Sequence, residues 1–461
     1  MPPQEVINTK GSVVGEANIE QFRSTFRGEL LRPGEDGYEG ARKIWNASVE
    51  KHPGIFARCS GVADVVAAVS FARENELLVA VRGGGHNVGG RALCDGGLVV
   101  DLSRMKGIHV DPAKRTARVQ GGATLGDVDR ETHAFGLAVP AGVVSKTGIA
   151  GLTLGGGVGW LMRKFGMTID NVLSFETVTA DGKVLTAGAH DNADLFWGLR
   201  GGGGNFGVVT SFEFQAHPVR SVLSGLLVHP LAAAVEVLRF FREFMRSAPD
   251  ELTAYTALLH TPDGMPVAGV IPCYCGELSE GERVLKRLRE FGSPVLDTIQ
   301  PMPFPAVQSM LDAFFPDGNH NYWKSSMHQE LNDDAIAAIA DHAKAMSSPL
   351  SMIVVERYGG AAGRVGASDT AFPHREALWD IIIGAQWTNS AESPQHRAWA
   401  RSAADALRPS SLGAFLLSAL DQEPDEIINA AFGANLPRLM AIKKKYDPGN
   451  FFRVNQNIRP A

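Results

Sequence analysis

The chain has 461 residues, is 44% hydrophobic and carries a formal net charge of −6, enough length to bury a large core in two or three structural units. The acidic balance excludes the electrostatic footprint of a nucleic-acid or anionic-lipid binder. Residues 1–20 lack a basic region followed by an apolar run, no apolar stretch could span a bilayer, and four scattered cysteines make no disulfide framework, so a cytoplasmic protein is expected.

Near the N-terminus, Ser60 is a candidate N-cap, and Val62, Val65, Val66 and Val69 recur at helical spacing. Residues 77–81 read as a buried strand leading into Arg82-Gly83-Gly84-Gly85-His86-Asn87. Three consecutive glycines let backbone N–H groups converge on one concavity, a nest that binds phosphate without a charged side chain. Arg82 adds a fork of donors and His86 a nucleophilic imidazole. The competing reading is a tight turn with a solvent-exposed histidine, and this motif alone leaves the two even. Residues 98–102 and 116–120 read as further strands.

A second segment gathers Gly142, Thr147, Gly148, Gly151, Gly155, Gly156, Gly157 and Gly159. It lacks the Gly-Lys-Ser/Thr of an NTPase phosphate loop, and also the strand–turn–helix context and following acidic residue of a dinucleotide fingerprint. So many glycines would be costly in an ordinary helix; they suit a large planar or extended ligand lying against bare backbone. Asp181-Gly182, between residues 172–179 and 183–186, is a hairpin signature. A third glycine cluster, at 201–204 and Gly207, runs into a strand over 208–214.

Beyond about Pro218 the glycine clusters stop and amphipathic helices alternate with strands, for example a helix over 232–246 and strands over 352–358 and 381–387. Cys273-Tyr274-Cys275 puts two thiols on one face of a strand without metal-site company; it reads as packing, and no metal is expected. After about Ser410 a final strand, a helix near 426–446 and a closing Asn455-Gln456-Asn457-Ile458 motif are expected.

The order of the three glycine clusters, followed by Tyr446-Asp447-Pro448-Gly449-Asn450-Phe451-Phe452-Arg453-Val454-Asn455-Gln456-Asn457-Ile458, resembles the berberine bridge enzyme-like flavoproteins of the vanillyl-alcohol-oxidase superfamily. The likeness is greatest to their bacterial 6-hydroxynicotine-oxidase-like branch and runs from about Phe22 to Pro460. It implies an α+β fold: a two-subdomain PCMH-type FAD-binding domain over 1–217, a substrate-binding domain over 218–410 whose antiparallel sheet roofs the flavin, and a C-terminal segment, 411–461, completing the FAD domain. It also implies FAD joined covalently to His86. The cysteine that makes a second attachment in many relatives falls on Val144, so the link is expected through His86 alone.

Further roles follow from the same resemblance. The backbone of Arg82, Gly83, Gly84, Gly85, His86 and Asn87 would bind the pyrophosphate. Gly142, Thr147, Gly148, Gly151, Gly155, Gly156, Gly157 and Gly159 would line the ribityl and adenosine side, and Gly207, Val208 and Val209 would meet the adenine. The amides of Asn455 and Gln456 would lie near the isoalloxazine. Thr147 falls on the oxygen-gate position, and Leu152 replaces a histidine of many plant relatives. That pairing resembles members that react rapidly with O2.

The base is not carried over, because the tyrosine of many relatives falls on Phe415 and another on Phe432. Glu356 and Tyr358 alternate along one strand and so share a face. That face points either toward the flavin, supplying a base or a substrate hydrogen bond, or outward, with Glu356 paired to Arg357 or another surface charge. Tyr255, Trp323, His328 and Gln386 are further substrate candidates; Trp197, Phe206 and Trp387 are as readily core as substrate stackers. The expected function is an FAD-dependent oxidase of a small cyclic or aromatic alcohol, amine or secondary metabolite, passing a hydride to flavin and then electrons to O2 to give hydrogen peroxide. The alternatives are a flavin-N5-oxide oxygenase and a catalytically inactive flavin-binding relative. Expected partners are the small-molecule substrate and O2, with no nucleic acid and no membrane; the oligomeric state stays open.

Overall fold

A computed structural model describes residues 5–416 and 423–461. The first region builds two sheets. In one, Glu29–Leu31, Ile55–Arg58, Leu98–Asp101 and Val79–Arg82 lie in that order; the first pair is antiparallel and the other two are parallel. All four residues of the inner strand Leu98–Asp101 are buried, Asp101 included. The helix Val62–Glu74 packs Val65, Ala68, Val69 and Ala72 into the same core. Its N-cap is Gly61 rather than Ser60. The Asp64 carboxylate, in the first turn, accepts the N–H of Ser60, just ahead of the N-cap, at 2.8 Å, and no side chain caps the helix itself.

The second sheet is wholly antiparallel, in the order Ile108–Asp111, Thr116–Gln120, Val208–Gln215, Val172–Val178, Val184–Gly188. Its last hairpin turns at Asp181-Gly182, where Gly182 has φ +82°, a conformation that side chains resist.

A larger antiparallel sheet lies over these two. Its main path runs Leu296–Asp297, Leu227–Pro230, Pro266–Tyr274, Leu252–His260, Met352–Arg357, Trp379–Trp387 and His320–His328. Alternation along Trp379–Trp387 is clean. Trp379, Ile381, Ile383, Ala385 and Trp387 pack under the helices Ala234–Arg246, Asp333–Lys344 and Ser393–Leu407, while Asp380, Ile382 and Gly384 face the other way. Helix Ala234–Arg246 buries Ala234, Val237, Leu238, Phe241 and Met245, the stripe its sequence predicts. Cys273 and Cys275 are both buried in one apolar cluster on the inner face, as packing residues.

Two expectations near the C-terminus are corrected. Described residues 411–416 form no strand. They run beside the edge strand His320–His328, with the Leu412 N–H on the Met327 carbonyl at 2.8 Å and the Met327 N–H on the Ala414 carbonyl at 3.1 Å. The ladder then stops, because the Leu416 N–H donates to the Ser325 hydroxyl oxygen instead of a backbone carbonyl. Leu417 lies outside the described residues. The single helix expected near 426–446 is two, Asp425–Phe432 and Leu436–Tyr446. Gly433, at φ +50°, breaks the first, and Pro437 sits in the first turn of the second, where its missing N–H costs nothing.

The second of these helices clamps the C-terminus. Lys443 is fully buried; its Nζ donates to the carboxylate of Asp447 (2.6 Å) and to the carbonyls of Asn205 and Phe452 (both 2.8 Å). Asp447 in turn accepts the N–H groups of Phe451 and Phe452. Removing the amine strands a buried carboxylate, so Lys443→Ala is expected to cost about 3–5 kcal/mol. Thermal unfolding of the purified variant measures this, with loss of bound cofactor as the accompanying sign.

Candidate active site

A cavity of about 430 Å³ lies between the glycine clusters and the inner face of the large sheet. Gly84 and Gly148 bring two glycine loops into backbone contact: a Cβ on Gly84 would sit 2.5 Å from the Gly148 nitrogen, and one on Gly148 2.4 Å from the Gly84 nitrogen. Gly151 and Gly204 present bare backbone to open space, with no heavy atom within 4 Å of where a Cβ would stand. Main-chain surface on both sides is thus offered to a ligand.

Most residues expected at the cofactor line this cavity: Gly83, Gly84, Gly85, His86, Asn87, Gly142, Thr147, Gly148, Gly151, Leu152, Gly155, Gly207, Val209, Asn455 and Gln456. Five do not. Arg82 turns its guanidinium onto the carbonyls of Ala41 and Lys43 and does not line the cavity. Val208 is fully buried in the core beneath the first sheet. Gly156, Gly157 and Gly159 are glycines because protein packs against them. A Cβ there would meet the Met167 side chain (2.9 Å), the Thr168 hydroxyl (2.2 Å) and the Ala141 carbonyl (1.8 Å) respectively.

His86 stacks on Trp45, ring centroids 4.3 Å apart and planes 11° from parallel. Trp45 is itself fixed by an indole N–H bond to the Phe315 carbonyl and meets Trp323 edge-on. The Nε2 of His86 is shielded from solvent and has no protein partner. Burial pushes this imidazole down to about 4, so it is neutral in the neutral range and keeps a lone pair. Val144 lines the cavity; among the described residues, no cysteine does.

The polar feature of the roof is a carboxylate cluster. Glu356 lines the cavity and is buried. Tyr358, two residues on, does not reach the lining; its hydroxyl bridges Glu356 Oε2 (3.4 Å) and Asp380 Oδ2 (3.1 Å). Tyr255 pairs with Glu356 on the neighbouring strand, lines the cavity and keeps a buried hydroxyl without a partner. Burial raises the pKa of Glu356, and the facing Asp380 raises it further; burial raises that of Asp380 as well. Arg357 lies on the opposite face over the Trp379 ring, so the outward, ion-paired reading of Glu356 does not hold.

Of the other substrate candidates, Trp323 lines the cavity. His328 is buried elsewhere, its ring nitrogens bonded to Ser326 and the Ser410 carbonyl, and Gln386 is held by Asn319, Asn321 and the Phe314 carbonyl. Trp197, Phe206 and Trp387 are core residues. Phe432 lines this cavity, whereas Phe415 lines a separate one. Sequence reasoning misses Asp380 and Trp45. A lone acid inside the apolar run Trp379–Trp387 is the available signal for Asp380; nothing local marks Trp45. Otherwise the lining is dominated by apolar groups such as Leu259, Leu311, Phe314, Met352 and Ile382.

The C-terminal motif is stitched into the third glycine cluster. Asn205 donates to the Gln456 carbonyl (3.0 Å) and accepts the Ile458 N–H (2.9 Å), and the Asn455 amide donates to the Gly204 carbonyl (3.1 Å). Among the described residues, no helix is long and apolar enough to cross a membrane, and no group of three or more His, Cys, Asp or Glu could hold a metal.

Comparison with known proteins gives consistent results. Residues 53–188 match the family described as FAD binding domain, and residues 421–459 that described as berberine and berberine like. An FAD-linked oxidoreductase of Dictyostelium discoideum is 35% identical over 96% of this chain and 97% of its own length. The (R)-6-hydroxynicotine oxidase of Paenarthrobacter nicotinovorans is 34% identical over 95% of this chain and 97% of its own. The crystal structure of 6-hydroxy-D-nicotine oxidase from Arthrobacter nicotinovorans superimposes with a TM-score of 0.87 at 32% identity, covering 95% of this chain and 99% of that one.

Proposed function

This chain belongs to the berberine bridge enzyme-like FAD-linked oxidoreductases, and on that premise we propose that it oxidises a small, largely apolar, ring-bearing alcohol or amine, with Glu356 taking up the proton. The observation that carries this reading is a single buried carboxylate, Glu356, on a roof whose other cavity-facing side chains are mainly apolar. An oligosaccharide would call for many convergent hydrogen-bonding groups, and this lining offers few. We take residues 1–217 with 411–461 as the unit that holds FAD and 218–410 as the roof over the substrate.

The residues present fit FAD. Gly83, Gly84, Gly85 and Asn87 would hold its phosphates through main-chain N–H groups, and Gly142, Gly148 and Gly151 its extended linker. Asn455, whose side-chain oxygen is buried and unpartnered, and Gln456 would meet its polar ring edge. The neutral, unpartnered Nε2 of His86 suits a single covalent attachment, and a lining without cysteine among the described residues supports there being no second. When bound, FAD supplies a hydride acceptor that O2 can reoxidise.

The chain's own residues do the rest. Trp323 and the apolar side chains exclude water and orient the substrate ring. Glu356 accepts the proton of the substrate hydroxyl or ammonium group as the neighbouring C–H gives up hydride, and Tyr255 offers the substrate a hydroxyl. Thr147 lines the cavity from the glycine side, where its small side chain leaves room for O2. Thr147→Leu is therefore expected to slow reoxidation of the reduced enzyme by about tenfold, roughly 1.4 kcal/mol of barrier. Stopped-flow mixing with oxygenated buffer reads this, and anaerobic reduction should keep its wild-type rate.

The function is tested by adding a panel of cyclic amines, benzylic and alicyclic alcohols and oligosaccharides to the yellow protein without oxygen. Bleaching by an apolar amine or alcohol, with hydrogen peroxide formed on readmitting air, is the expected result. Bleaching only by oligosaccharides would overturn the substrate class, and bleaching by none of the panel would favour an inactive flavin carrier.

A further inference from the structure

Glu356 is buried at the head of a hydrogen-bonded chain that leaves the cavity. Tyr358 OH lies 3.4 Å from Glu356 Oε2 and 3.1 Å from Asp380 Oδ2, and the Ser325 hydroxyl donates to Asp380 Oδ1 at 2.8 Å. All four side chains are nearly or fully buried. Ser325 sits on the edge strand His320–His328, and past it opens a second cavity of about 950 Å³. This second cavity is polar, lined by Asn46, Ser48, Asp95, Lys324, Ser325 and Ser326 among others. The chain thus crosses the inner face of the sheet, from a strand in its middle to its edge, and joins two cavities of opposite character. No backbone ladder requires these side chains; each is a group that can both give and take a proton.

We propose that Tyr358, Asp380 and Ser325 form a proton relay linking Glu356 to the water of the second cavity, an inference that rests on Glu356 being the proton acceptor. On the cavity side Glu356 is surrounded mainly by apolar roof residues such as Leu259, Met352 and Ile382, which accept no proton. Glu356 passes it to the Tyr358 oxygen as Tyr358 gives its own proton to Asp380 Oδ2. The Leu416 N–H holds the Ser325 oxygen from behind (2.9 Å), leaving the hydroxyl hydrogen as the part that rotates. The Asp380 carboxyl turns about its Cβ–Cγ bond so that the protonated oxygen faces Ser325, and once the serine hydrogen has turned toward the second cavity that proton passes to the Ser325 oxygen as Ser325 releases its own to water. Only O–H bonds form and break, no electrons move along the chain, and one proton leaves for each that Glu356 takes up. Run backwards, the same steps return a proton to the cavity. The titratable groups facing Glu356 from the neighbouring strands are Tyr255 and Asp380, with Tyr358 on its own strand.

The test uses flavin-loaded enzyme whose substrate cavity is filled with benzene, an apolar ring with no alcohol or amine to oxidise, and deuterium oxide. Rapid mixing into deuterium oxide shifts the infrared C=O band of protonated carboxyl groups, and loss of that band in Glu356→Gln or Asp380→Asn assigns it to the pair. Wild type is expected to exchange within the mixing time. Ser325→Ala, and Tyr358→Phe as a second break that keeps the ring, are expected to exchange about tenfold more slowly or worse, with Ser325→Thr restoring the wild-type rate. Flavin content and thermal midpoint confirm that each variant is folded. Wild-type exchange in both Ser325→Ala and Tyr358→Phe overturns the relay, as does equal slowing in Ser325→Thr, which would mark a packing effect. So does the absence of any carboxyl band sensitive to the pair. Unchanged flavin reduction by substrate in Glu356→Gln would instead remove the base on which the relay rests, a separate and distinguishable failure.

Discussion

Glu356→Gln is expected to slow reduction of the flavin by substrate about 100- to 10,000-fold, the usual worth of a positioned general base. The amide keeps the shape and the neutrality of the protonated acid, so flavin content and thermal stability should stay near wild type. The pH dependence carries a sign. Glu356 takes up a proton only as the carboxylate, and burial together with Asp380 raises its pKa above the ordinary glutamate value. The rate of flavin reduction should therefore rise with pH through that raised value and level off above it. Asp380→Asn removes the facing negative charge, so the rising limb should move to lower pH. Anaerobic stopped-flow reduction across a pH series measures both effects. A flat profile in wild type, or a rate in Glu356→Gln within a factor of about two of wild type, well under the effect of losing a general base, would exclude Glu356 as the base.

The second large effect is all-or-none. His86→Ala should yield protein from which acid precipitation releases the whole of the flavin, whereas wild type retains it in the denatured pellet and shows a fluorescent band on a denaturing gel. The imidazole is held against Trp45 with its Nε2 unpartnered and its charge suppressed by burial, so in the tautomer protonated on Nδ1 that nitrogen offers a lone pair directly. The glycine nest survives the substitution, and the variant is expected to bind FAD reversibly. Release of flavin from acid-precipitated wild type would exclude the covalent link.

Much of this is legible in the chain because the signals are local. The glycine clusters, His86 and the closing Asn-Gln-Asn motif are short runs whose chemistry is carried by neighbouring residues, and the structure gathers them around one cavity. The alternation of Glu356 and Tyr358 fixes a shared face but not its direction, which depends on the strands either side. A lone acid in an apolar run marks Asp380 as unusual, but its place beside Glu356 follows only from cross-strand pairing, a contact that no short window contains. Gly156, Gly157 and Gly159 are indistinguishable from ligand-facing glycines by type and spacing, since close approach of Met167, Thr168 or Ala141 makes the same demand on a residue as close approach of a cofactor. The end of the helix Asp425–Phe432 escapes the periodicity for a simpler reason. The apolar pattern continues across Gly433 and Pro437, although the two together are a stop and a start.

The stitching of the C-terminal motif through Asn205 and Lys443 has a consequence for the order of events in the cell. Phe452, Val454, Asn455 and Gln456 form part of the cavity wall, so the cofactor's seat is unfinished while these residues are still inside the ribosome. The N-terminal sheets can fold during synthesis, yet they present the glycine loops to a gap. Flavin capture then waits on residues 452–456, and a chain cut before Phe452 would lack this wall and be colourless.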